Sequence, residues 1–187
     1  MNKIYVVTLD KLNRALGRVT RELDRLGIWN EQLAAVEVYL SVLNPTGLLA
    51  YGWKYDGRAG CIEIPAISLP RLSHRLGLGS YVSLADVLRH EYGHAVSDLC
   101  PQLIRSKKFR EVFDGAYACE MCSEFDPNHH VSNYAASNPS EDFAEVFMTY
   151  VRHRGQLPLR HRTPGIRRKW QFVKQTCRAI GRGPSRW

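Results

Sequence analysis

Near the start of the chain, apolar residues recur at intervals of three and four. Leu9, Leu12, Leu16, Val19, Leu23 and Leu26 share one face of a helix expected over residues 9–26, which Gly27 ends. The period then changes to two. Val36, Val38, Leu40 and Val42 alternate with Glu37, Tyr39 and Ser41, the pattern of a half-buried strand. Asn44-Pro45-Thr46-Gly47 is a turn, residues 48–55 read as a second strand, Asp56-Gly57 is a hairpin signal, and residues 59–64 form a third strand ended by Pro65. The expected arrangement is an antiparallel meander, followed by a loop over residues 66–81. Helical spacing returns over residues 83–99 and again from Pro139, where Phe143, Ala144, Phe147, Met148 and Val151 are the apolar positions. It recurs over residues 164–180, with Ile166, Trp170, Val173 and Cys177 inward. The fold class is α+β, a small antiparallel sheet packed on the 83–99 helix, with further helices C-terminal to it.

At 187 residues and 44% hydrophobic, the chain can bury one core, and no repeat or domain boundary divides residues 1–187. No apolar run is long enough to span a bilayer, so no membrane partner is expected. The apolar patch at residues 4–9 lacks the length and cleavage site of a secretory signal. Five cysteines, an odd number without a dense framework, fit a reducing compartment. The expectation is cytoplasmic, although export without a signal leaves no mark in a sequence.

The chemistry is concentrated in His90-Glu91-Tyr92-Gly93-His94, an H-E-x-x-H string inside the 83–99 helix. Two His four residues apart on a helix project from one face and can share a Zn2+, and the intervening Glu lies beside the open coordination position as a general base. Ser83 with Asp86 forms the N-terminal signal, and Asp86, His90, His94 and Asp98 share one stripe. A plain core helix has no use for that set.

A third protein ligand is needed. Cys100 stands where an extended motif of one zinc-peptidase class has a His, but an unbroken helix rotates it away from the metal. The better candidate lies in Ser137-Asn138-Pro139-Ser140-Glu141-Asp142-Phe143-Ala144-Glu145. Asn138 caps a helix, Pro139 suits its first position, and Glu141 and Glu145 are one turn apart. A carboxylate from this second helix completes a His2Glu site with a fourth position left for water.

His90-Glu91-Tyr92-Gly93-His94-Ala95-Val96-Ser97-Asp98, taken with Tyr134 and Glu141-Asp142-Phe143-Ala144-Glu145, resembles the gluzincin metallopeptidases. It is most similar to the catalytic domain of anthrax lethal factor and its relatives. A bacterial group of zinc peptidases with a similar E-D-F-A-E helix fits equally well. The likeness covers roughly residues 83–151. It implies a zincin-like fold, with His90, His94 and Glu141 as zinc ligands and Glu91 as general base. Tyr134, seven residues before Glu141 as in that family, would stabilise the oxyanion. Glu145 would stand behind the ligands or face substrate, and Asp98 would support the ligands from outside. The substrate would be a protein or peptide, of no particular sequence that the resemblance specifies.

Other features compete with this reading. Cys119 and Cys122 form a C-x-x-C that can bind a second metal, with Cys100 and His129 or His130 nearby, can form a disulfide or redox pair, or can be plain buried or inert thiols. Tyr92 and Tyr117 read as packing residues. The net charge is +8 and unevenly spread, because no acid follows Glu145 while Arg152, Arg154, Arg160, Arg162, Arg167, Arg168, Lys169, Lys174, Arg178, Arg182 and Arg186 do. His153 and His161 belong to that basic surface. Residues 152–187 can meet a phosphate backbone or an acidic partner, or can simply be solvated. The sequence thus predicts a zinc metalloendopeptidase, either general or confined to one target. The alternative is a nucleic-acid- or partner-binding protein with a structural or vestigial zinc site; an intact Glu91 favours the enzyme.

Overall fold

The computed structural model describes residues 6–41, 52–57, 59–67, 83–120 and 123–181. Helix α1 (Leu9–Arg25) starts at Thr8, whose hydroxyl accepts from Lys11 N, and buries Leu12, Val19 and Leu23. Leu9 is exposed, outside the buried stripe. A short α2 (Glu31–Ala34) leads to the first strand, β1 (Glu37–Ser41), and β2 (Gly52–Tyr55) and β3 (Gly60–Pro65) follow.

The sheet corrects the expected meander. Its order is β1-β3-β2; β1 runs parallel to β3, and only β2 and β3 are antiparallel. Burial explains the choice. Ile62 and Ile64 of β3 are fully buried, so β3 takes the centre, paired on both sides. β1 and β2 carry exposed Tyr39 and Tyr55 and suit the edges. The Asp56-Gly57 hairpin forms as expected; the expected turn at residues 44–47 and the start of the second strand lie outside the described residues.

Helix α3 (Leu84–Leu99) is the centre of the molecule. Ser83 and Asp86 cap it reciprocally, each side chain accepting the other residue's backbone N–H. It packs against α1, β2 and the later helix at Pro139–Arg152, so almost every side of it from Ala85 to Ser97 is buried. Arg89, buried, reaches both Asp86 and Glu22 and clamps α3 to α1. Asp86 is therefore committed to the cap and to Arg89, although it shares a stripe with the histidines.

Two short helices, α4 (Pro101–Ile104) and α5 (Lys107–Val112), follow. A 3-10 turn at Tyr134–Ala136 precedes α6 (Pro139–Arg152), a second one spans Leu159–His161, and α7 (Pro164–Gly181) closes the described chain. Gly93 sets the crossing of α3 and α6: a Cβ there would lie 3.0 Å from Ala144 Cα. Any larger residue would push the two helices apart. The basic segment is not all surface, because Lys169 of α7 is buried against Asp142 and also donates to the His129 carbonyl. Arg152, Arg154, Arg160, Arg162, Arg167, Arg168 and Arg178 are exposed. No helix among the described residues is long and apolar enough to cross a membrane.

Candidate metal centre

The i,i+4 spacing on α3 brings the two imidazoles together, with His90 Nε2 and His94 Nε2 3.1 Å apart. Helix α6 supplies the third group. Asn138 caps it, its side-chain oxygen accepting from Glu141 N at 2.9 Å, and this fixes the first turn. Glu141 Oε2 then lies 3.0 Å from His90 Nε2 and 3.3 Å from His94 Nε2. The three ligand atoms lie within 4.8 Å of one another, and theirs is the one such metal-sized group among the described residues.

The other ring nitrogens are already engaged. His90 Nδ1 is 2.8 Å from Glu145 Oε1, and Ser132 Oγ donates to Glu145 Oε2 at 2.6 Å. His94 Nδ1 is 2.9 Å from the Tyr117 hydroxyl. With Glu145 accepting at Nδ1, the His90 lone pair is on Nε2. Two imidazole nitrogens and a carboxylate oxygen therefore converge on one point. Glu141 Oε2 is buried and makes no well-aligned hydrogen bond. Such a set repels itself unless a cation lies among it, and two imidazoles with one carboxylate suit a divalent transition metal, Zn2+ and Fe2+ among them.

Electrostatics describe the same demand. Burial disfavours a charged His90, but Glu141, Glu145 and Glu91 outweigh it and raise the His90 pKa to about 10. Burial alone would raise the Glu141 carboxyl; the two imidazoles reverse this and hold it well below the usual carboxylate range. In the metal-free protein a proton on His90 meets the need for positive charge.

Glu91 sits between the histidines, buried, with Oε2 accepting from Trp53 N at 2.8 Å. This contact requires Gly52, whose φ is +94° and whose added Cβ would stand 3.1 Å from Glu91 Oε2. Trp53 ties down a second point as well, its indole Nε1 donating to Asp98 Oδ2 at 2.7 Å. Edge strand β2 is thus pinned to α3 on both sides of His94. The Tyr134 ring is 5.6 Å from that of His90, centre to centre. Burial, and then the Glu141 and Glu91 carboxylates, push its phenol far above the ordinary range, so it remains a donor.

Of the two places expected of Glu145, behind the ligands or facing substrate, it takes the first: it is buried behind His90. Other expectations need correcting. Asp98 holds Trp53 and makes no hydrogen bond to a histidine ligand; the place behind His94 belongs to Tyr117, read from sequence as a packing residue. Ser132, behind Glu145, carried no sequence signal either. Tyr92 is a core residue, edge-on to Trp29. Cys119 and Cys100 are half-buried free thiols outside the cluster, and burial raises the Cys100 pKa. His130 Nδ1 accepts from Asp126 N, so no site forms from Cys119 and His130 among the described residues. Cys122 lies outside them. His161 is buried and accepts from Arg160 Nε, away from the metal-sized group, as is His153. No protein family, curated protein or solved structure compared with the chain matches it.

Proposed function

We propose that the chain is a zinc-dependent peptidase with its centre at His90, His94 and Glu141. The observation that carries the reading is the convergence of these three ligand atoms beside Glu91, whose carboxylate is anchored by the Trp53 N–H. A zinc ion held there would supply Lewis acidity toward a water molecule and the scissile carbonyl. Glu91 takes the water's proton and returns it to the leaving amine. The Trp53 N–H keeps one carboxylate oxygen in place and leaves the other for proton transfer. Tyr134 keeps its proton and donates a hydrogen bond to the oxyanion, where charge develops only in the transition state. Glu145 and Tyr117 hold the two rings in orientation. Among the described residues strand β2 is paired on one side only, and it starts at the Glu91 contact, so an extended peptide has a backbone edge beside the base.

The alternative is a structural or vestigial site in a protein that binds nucleic acid or an acidic partner through the exposed arginines of α6 and α7. A structural zinc normally takes four protein ligands, and three are present among the described residues, with a buried carboxylate next to them that a structural site does not need. Metal analysis with peptide hydrolysis tests the reading. The expected result is one zinc per chain, cleavage of a peptide library, loss with a chelator and recovery with zinc. A zinc-loaded chain that cleaves no library member, or a chain that holds iron, would contradict it.

A further inference from the structure

A cavity of about 530 Å3 opens one turn beyond His94. Its lining includes Tyr117 and Asp98, the apolar Pro101 and Ile104, and the charged Arg105 and Arg110. Two hydrogen bonds join it to the metal centre. The Tyr117 hydroxyl is 2.9 Å from His94 Nδ1. Asp98 is held by the indole of Trp53, the residue whose backbone N–H holds Glu91. A group in this cavity therefore lies against both a candidate ligand's support and the strand that positions the base.

The charge is unbalanced, with two guanidinium groups against the one carboxylate of Asp98, which also accepts from the Trp53 indole. Arg105 ends α4 and Arg110 lies on α5, both exposed, and neither side chain makes an ion pair or a hydrogen bond among the described residues. Glu111, the acid next to Arg110, is paired with Lys107 instead. Two guanidinium groups with free donors match a carboxylate in charge and in fork geometry. Pro101, Ile104 and the Tyr117 ring offer the methylenes of that side chain an apolar wall. A Lys side chain would meet two like charges against the single carboxylate of Asp98, and a neutral one would gain no ion pair with either guanidinium.

We propose that this cavity is the specificity pocket of the enzyme and that it selects Glu or Asp near the scissile bond. The proposal rests on the peptidase reading, so its test has a part independent of turnover. The probes are fluorescein-labelled decapeptide pools in which Glu or Lys is stepped through an otherwise neutral sequence. Their binding to zinc-loaded Glu91→Gln protein is followed by anisotropy. The best Glu pool should bind about tenfold more tightly than the matched Lys pool, the gain expected of one partly solvated charge-assisted pair. Arg105→Glu with Arg110→Glu, added to Glu91→Gln, should reverse the preference with zinc content unchanged. Equal binding of the pools, or a preference that survives the double reversal, overturns the pocket. Wild-type cleavage without acidic preference would sink the pocket and leave the peptidase. A Glu preference in binding, without cleavage by the wild type, would sink the peptidase and leave an acidic-peptide site.

Discussion

The Tyr117 hydroxyl lies 2.9 Å from His94 Nδ1, on the ring nitrogen opposite the one that faces His90 and Glu141. Glu145 does the same for His90. Partners of this kind fix ring orientation, and their loss weakens metal binding by about 10- to 100-fold. Tyr117→Phe and Glu145→Gln should each fall in that range in a chelator-competition titration, and Glu141→Ala should lose far more. A Glu141→Ala protein that holds zinc as tightly as the wild type, beside a Glu145→Gln protein that holds none, would move the third ligand to Glu145.

Gly52 is predicted to matter for rate more than for metal. An Ala there must adopt φ +94° and crowd Glu91 Oε2 from 3.1 Å, so the carboxylate shifts. The strained backbone costs roughly 1–2 kcal/mol of stability. Gly52→Ala should keep its zinc while kcat drops about tenfold or more, because a small misplacement of a reacting group is costly. Unchanged kcat in a folded, zinc-loaded variant would show that the Glu91–β2 contact has no part in turnover.

The helix of the candidate metal centre was legible because its chemistry is local. Four residues separate His90 from His94, and Ser83 and Asp86 mark the start. Glu141 could be found from Asn138 and Pro139, which fix the register of α6. Tyr117 and Ser132 could not, since each meets its partner through tertiary packing and sits in no periodic pattern. The sheet order failed for the same reason. A hairpin signal such as Asp56-Gly57 is read along the chain, whereas the parallel pairing of β1 with β3 is decided by which strand can be buried on both sides. Lys169 looked like one more surface charge until the fold brought Asp142 to it.

Metal uptake should depend steeply on pH. The His90 pKa, raised from 6.5 to about 10 in the metal-free protein, adds stability that is fully present below about 6.5 and lost as pH rises through about 10. The depressed Glu141 carboxyl adds stability above its ordinary value of 4.5, lost as pH falls below that. The metal-free protein should therefore melt at lower temperature as pH is taken from 7 toward 10. Zinc must displace the His90 proton, so its affinity should rise about tenfold per pH unit between about pH 6 and 8. Titrations at several pH values with a zinc indicator check this; a flat affinity would mean that no proton leaves the site.

The most direct test of the peptidase reading is Glu91→Gln. The amide is nearly the same size and can still meet the Trp53 N–H through its oxygen, so His90 and His94 stay in place, but it cannot accept a proton. Hydrolysis of a peptide library should fall by about two to four orders of magnitude, with zinc content and melting temperature close to wild type. Cleavage that continues undiminished in the zinc-loaded Glu91→Gln protein would contradict the assignment of Glu91 and, with it, the mechanism.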